Sequence, residues 1–205
     1  MKRFFEYREV RVAPLGWAAA AATISTRSAA EIETAGGRLY GVWPGQIGLA
    51  RDEGIIMTAW PDAHSARAHG GLAAAHDVLE TRAVHYLEAT VRPTSDEPPP
   101  RQGFYAHRFF ELSSTDWPEF LSLSDEAWPS MEAAVQARIH GFWRSLDERG
   151  ERTRVLLLTQ YMDLMAWERS RWWGRPEPGA EDAMRRFRRR AELVDWTRVT
   201  ICSCP

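Results

Sequence analysis

GGRLYGVWPG (residues 36–45) and QARIHGFWRS (136–145) carry one pattern: Arg, two residues, Gly, one residue, Trp. Arg38, Gly41 and Trp43 face Arg138, Gly141 and Trp143 at an offset of one hundred. Other segments keep the offset. Tyr7-Arg8 followed by Trp17 matches His107-Arg108 followed by Trp117. MTAWPDAHSAR (57–67) faces LTQYMDLMAWE (158–168), aligning Thr58, Trp60 and Asp62 with Thr159, Tyr161 and Asp163 at one hundred and one. Three segments in one order, slipped by a single residue, indicate an internal duplication.

The join is RPTSDEPPPRQG (92–103), with four prolines and no apolar run, the composition of an exposed linker. The chain therefore divides into a first module (1–92), a Pro-rich linker (93–102) and a second module (103–205). Each is near one hundred residues, the scale of a small domain.

Within each half the apolar period alternates. FFEYREVRV (4–12) and FYAHRFFEL (104–112) are rich in aromatic and β-branched residues and read as strands. A helix follows each. In the second half Asp116 and Glu119 have capping-box spacing, and Trp117, Leu121, Ser124, Trp128, Met131 and Val135 recur near 3.6. Pro129 is expected to kink or end that helix. Gly36-Gly37 closes the first half's helix, RLYGVW and IIMTAW are strands around the turn GLARDEG (48–54), and Asp62 caps a helix running to about Glu80. Asp163 has the matching role. AVHYLEATV (83–91) and DWTRVTIC (195–202) end the halves as strands. Strand, helix, strand, strand, helix, strand is the ferredoxin-like βαββαβ unit, whose sheet is covered by helices on one face only. The expected fold is α+β: two tandem ferredoxin-like modules whose bare sheet faces meet in a barrel of the dimeric α/β type.

Composition narrows the function. The 205 residues are 44% hydrophobic and 26% charged, a globular balance, and the net charge of −2 argues against a nucleic-acid partner. No signal-peptide core or membrane-spanning run is present, so no membrane insertion is expected. Cys202 and Cys204, the two cysteines, form no disulfide framework and suit a reducing, cytoplasmic setting. Phosphate-loop, His-Glu-x-x-His and Gly-x-Ser-x-Gly motifs are absent from the sequence, and no metal site is expected.

FEYREVRV (5–12), with Glu6 and Arg8, resembles the opening strand of the NIPSNAP family, within the dimeric α/β-barrel superfamily. GGRLYGVWPGQIGLARDEGIIMTAWPDAHSAR (36–67) is similar to its next stretch at Gly41, Trp43, Gly48, Glu53, Trp60 and Arg67. The second half keeps Tyr105 and Arg108 but has Ala106 where the pattern has Glu. The resemblance implies the barrel, a homo-oligomer, no assigned reaction and no cofactor. It also implies a small, partly apolar or anionic ligand held in a cavity between the sheets. A heme, handled by some of the wider superfamily, would take His69 or His76 as its axial ligand.

The candidate ligand-binding residues are Glu6, Arg8, Tyr40, Trp60, Arg108 and Tyr161. Glu6 and Arg8 leave one face of their strand, and Arg8 with Arg108 would form an anion clamp with one arm from each module. His107 and His140 stand where the first half has Tyr7 and Tyr40, and are the candidates for catalysis. They belong to the alternative reading, a cofactor-independent monooxygenase or isomerase. A third reading is an assembly or scaffold protein with a packed barrel. MRRFRRRAE (184–192) reads as a solvated helix face, and Trp172-Trp173 as cover for a barrel end or a neighbouring subunit.

Overall fold

The computed structural model describes residues 1–69, 72–147, 150–171, 179 and 181–204. The first half runs β1 (Phe4–Val12), α1 (Trp17–Thr23), a π-helical turn (Ile24–Ser28), α2 (Ala29–Thr34), β2 (Arg38–Ile47), β3 (Glu53–Trp60), α3 (Ala63–His69), a 3-10 turn (Ala73–Ala75) and β4 (Leu79–Arg92). The second runs β5 (Phe104–Ser113), α4 (Trp117–Val135), β6 (Ala137–Ser145), β7 (Arg152–Tyr161), α5 (Leu164–Arg169), α6 (Glu181–Glu192) and β8 (Val194–Ser203). Trp172-Trp173 lies outside the described residues.

The eight strands close into one antiparallel barrel in the order β1-β3-β2-β8-β5-β7-β6-β4. Each half contributes its strands in the same internal order, fourth, first, third, second. The seams are β2 on β8 and β4 on β6, so each half's two edge strands pair with the other half's. Closure removes every free edge, and one chain supplies both sheets.

Alternation along the strands sorts side chains between barrel and helix layer. Phe5 and Tyr7 of β1, Ile55, Met57 and Ala59 of β3, Tyr105 and Phe109 of β5, and Leu156 and Leu158 of β7 form one buried cluster inside the barrel. Their neighbours face outward. Val10, Ile56 and Trp60 pack under the first half's helices, and Ala106, Phe110, Leu112 and Leu157 under the second's.

The duplicated Gly-x-Trp pattern has a packing cause. In both halves β2 or β6 carries a bulge against its neighbour: Leu39 pairs with Thr58 and Gly41 with Met57, while Ile139 pairs with Thr159 and Gly141 with Leu158. The extra residues are Tyr40 and His140. Two residues past each glycine-bearing bulge the indole folds back over the glycine, and a Cβ on Gly41 or Gly141 would overlap the ring of Trp43 or Trp143. Neither glycine has a positive φ, so close approach alone demands it. The two indoles then cross the barrel to equivalent partners. Trp43 lies 5.6 Å from the Tyr105 ring, and Trp143 5.2 Å from Phe5.

Several local expectations change. The helix expected from Asp62 to Glu80 stops at His69, and β4 already begins at Leu79. His69 and His76 therefore share no helical face. Pro129 sits within α4 without ending it; the residue is exposed, where the carbonyl it leaves without a partner can turn to water. Asp116 makes no side-chain cap on α4, and Glu119 instead accepts from Arg189 of α6 at 2.7 Å. The other two caps form as read: Asp62 Oδ1 accepts from the Ser65 amide at 2.7 Å and Asp163 Oδ1 from Ala166 at 2.6 Å. Cys202 is buried in β8 and Cys204 half-buried beyond it; both are free thiols. Among the described residues no helix is long and apolar enough to cross a membrane.

Candidate functional site

The barrel interior is filled by aromatic and aliphatic side chains, and a cavity with a broad aromatic wall lies on the other side of the sheet. It occupies about 340 Å³ between the outer face of the second half's sheet and its helices, at the lower end of the range for small-molecule sites. Ala106, Arg108 and Phe110 of β5, Leu157, Thr159 and Tyr161 of β7, and Trp196 of β8 form the floor. Trp128 and Met131 of α4, with Phe187 and Arg190 of α6, form the roof. This chamber lies between sheet and helices, not between the two sheets where a cavity was expected. Closure explains the difference: facing aromatic residues from both halves consume the interior space.

Three arginines line the chamber; Arg171 pairs with Glu168 at 3.8 Å, and the wall's one acid among the described residues, Asp195, with Arg152 at 2.9 Å, while Arg108 and Arg190 have no carboxylate partner among the described residues. Arg190 is the one buried arginine of the five in RRFRRR. It donates to Ser124 Oγ at 3.1 Å, and its guanidinium lies 4.6 Å from the Phe187 ring and 5.1 Å from Phe110. Burial first, and then the nearby Arg108 charge, push its pKa down to about 9. Arg108 is also lowered, chiefly by burial and then by Arg171, with Tyr161 acting in the opposite sense. Its guanidinium is 5.9 Å from the Phe110 ring. Burying a charge without a partner is costly, and burying two close together more so. Tyr161 adds a phenol to the wall; its hydroxyl accepts from Ser170 Oγ at 3.2 Å, and burial raises its pKa, keeping it protonated.

Of the residues singled out in sequence, Arg108 and Tyr161 meet here. The others lie elsewhere. Glu6 and Arg8 occupy the first half's outer face, where Glu6 Oε1 accepts from Arg8 Nε at 2.8 Å. Arg8 and Arg108 thus sit under different helix layers and form no common clamp. Trp60 is enclosed under the first half's helices, its indole donating to Thr58 Oγ1 at 2.8 Å. Tyr40 points into the barrel, 5.1 Å from Phe5. His107 is sealed inside the barrel 4.9 Å from Trp43, with neither ring nitrogen hydrogen-bonded and its pKa pushed down by burial to about 3. His140, the bulged residue, is 2.9 Å from Gln160 Oε1, and burial lowers its pKa. It lines a separate, more polar space of about 500 Å³ with Tyr40 and the linker prolines. Neither candidate histidine lines the chamber that holds Arg108 and Tyr161.

Arg190 escaped the reading of the sequence because its neighbours are exposed arginines. The signal was present: residue 190 falls three positions after Phe187 and six after Met184, on the apolar stripe of α6. A charge on a helix's buried stripe is the exception that calls for a partner.

A heme does not fit this chamber. The six histidines of the chain are His64, His69, His76, His85, His107 and His140, and none is on its wall. Its phenol stays protonated, and it contains no thiolate. Among the described residues, no group of three or more His, Cys, Asp or Glu side chains is placed to hold a metal ion.

Solved structures match this architecture along nearly its whole length. The fold is the dimeric α/β barrel. A candidate monooxygenase from Lactobacillus acidophilus superposes with a TM-score of 0.62 at 9% identity, covering 98% of this chain and 93% of that one. An anthrone oxidase-like protein gives 0.58 at 14%, covering 98% and 91%. A heme-binding protein from Thermus thermophilus gives 0.57 at 15%, covering 98% and 90%. Neither a protein-family model nor a curated protein sequence matches the chain.

Proposed function

We propose that this barrel binds a small organic anion with an apolar, flat body in the chamber between the second half's sheet and its helices α4 and α6. The observation carrying the reading is the pair Arg108 and Arg190, the first half-buried and the second buried against an aromatic cavity, and neither matched by a carboxylate among the described residues. A resident anion would offset that electrostatic cost, and the rings of Phe110, Trp128 and Phe187 would take the ligand's apolar surface. The NIPSNAP likeness of residues 36–67 agrees with a binding role and supplies no reaction.

An oxygenase reading has one specific support: cations that hold an anion would equally stabilise an enolate or phenolate formed on a bound substrate. A monooxygenase-like and an anthrone oxidase-like protein are among the similar folds. On that reading the base is neither His107 nor His140, since both lie away from the chamber. Oxygen uptake with a phenol or anthrone as sole substrate, and none without it, is the expected result.

The binding reading is tested by native mass spectrometry of the purified protein, then by thermal shift with aromatic carboxylates, sulfonates and phenolates. Arg108→Met is expected to weaken binding of such anions about 10- to 100-fold, the worth of a charge-assisted hydrogen bond. The same substitution should raise the melting temperature of the ligand-free protein, because it removes a half-buried charge that has no carboxylate partner among the described residues. Unchanged affinity, or a ligand-free variant that melts earlier, would overturn the assignment.

A further inference from the structure

The two halves correspond residue by residue along their first strands, and they differ at the one position that decides the charge of the outer face. In β1 Glu6 pairs with Thr58 and Arg8 with Ile56; in β5 Ala106 pairs with Thr159 and Arg108 with Leu157. Ala106 is therefore the counterpart of Glu6, and Arg108 of Arg8. On the first half's outer face Arg8 is already satisfied, by Glu6 at 2.8 Å and Thr81 Oγ1 at 2.7 Å. A space of about 360 Å³ reaches Arg8 there too, beside Leu72, His76 and Leu79. Volume alone thus does not separate the halves. The carboxylate does. The second half keeps the arginine, has a methyl group in place of the acid, and adds Arg190 from α6, a helix without a counterpart among the first half's described residues.

We propose that the ligand is a carboxylic acid with an aromatic body, and that its carboxylate sits over Ala106 and pairs with Arg108 as Glu6 pairs with Arg8. The inference rests on the binding reading above and narrows it to one chemical class. Glu6 shows that the backbone geometry of this face brings a carboxylate to the strand's arginine two residues on, since both side chains leave the same side. A guanidinium is a planar fork matched to a carboxylate's two oxygens. Ala106 lines the chamber, so a ligand group in Glu6's place lies inside it, with Phe110, Trp128 and Phe187 left for the ring.

Calorimetric titration with 1-naphthoate and its neutral analogue 1-naphthalenemethanol tests this. The natural sequence should prefer naphthoate by at least roughly 30-fold. Ala106→Glu supplies the acid from the protein and should abolish the preference, with naphthoate binding more weakly than the alcohol. Ala106→Gln fills the same space without charge, so it should narrow the preference but, unlike A106E, not invert it. Ligand-free A106E should also melt above A106Q, because only A106E gives Arg108 a charged partner. A106E that retains the preference, or that matches A106Q in both readouts, overturns the inference. Equal binding of the two probes by the natural sequence overturns it while leaving the chamber as a binding site. If neither probe binds, the binding reading itself fails and takes the carboxylate with it.

Discussion

Gly141→Ala is expected to cost about 3 kcal/mol, the upper range for overpacking a closed interior. The new methyl would occupy the space of the Trp143 indole, which is fully buried and held edge-on between Phe5 and Tyr40 at 5.2 and 6.0 Å. The ring has no vacant volume to move into. Trp143→Ala alone should cost about 3–5 kcal/mol through lost transfer energy and the cavity left behind. The informative variant is the pair. With the indole gone, the alanine at 141 has room, and its further cost should fall below about 1 kcal/mol. Urea unfolding of the two single variants and the double variant measures the coupling, and additive costs would refute the packing account of the motif. Gly41 and Trp43 repeat the arrangement, so Gly41→Ala should behave likewise.

His107→Phe should stabilise the protein, and by more in acid than at neutral pH. Inside the barrel neither ring nitrogen has a hydrogen-bond partner, a penalty of about 1–3 kcal/mol at pH 7 that phenylalanine would not incur. The pH dependence has a definite sign. Burial holds the folded pKa at about 3 against 6.5 in the unfolded chain, so the unfolded state takes up a proton first as pH falls. Stability is intact above pH 6.5 and declines from there toward pH 3, by on the order of 5 kcal/mol if the native barrel survives the whole interval. At pH 4.5 the variant's advantage should therefore exceed its advantage at pH 7 by roughly 2–3 kcal/mol. Denaturant titrations at the two pH values provide the comparison. His140, whose pKa burial also lowers, remains and leaves some acid sensitivity, but an advantage that does not grow on acidification would mean His107 is hydrated or paired in solution.

The buried histidine also illustrates why the site was harder to read than the fold. Tyr7 and His107 are equivalent positions, and the exchange of a phenol for an imidazole looks like specialisation for chemistry. In the barrel both are packing residues: Tyr7 lies 5.8 Å from His107 and 5.2 Å from Phe109. The chamber drew Arg108 and Tyr161 from the expected set and added Arg190, Phe187 and Trp128. Those additions come from α4 and α6, which are distant in sequence and meet through pairs such as Arg189 with Glu119. Spacing along a strand contains no record of which helix residue lands above it.

The duplication, the order of elements in each half and the helix caps at Asp62 and Asp163 were all written in local pattern, because a two-residue period, a 3.6-residue period and a capping side chain act over a few residues. Strand parity also grouped Glu6 with Arg8 and set Tyr7 and His107 on the opposite face. It could not say which face would look inward. That choice belongs to β2 meeting β8 and β4 meeting β6, contacts between residues as far apart as Gly45 and Cys202. Once those seams close, the aromatic faces must fill the barrel and the Arg108 face must turn to the helices. Barrel closure is a property of the whole chain, so the location of the chamber became visible only in three dimensions.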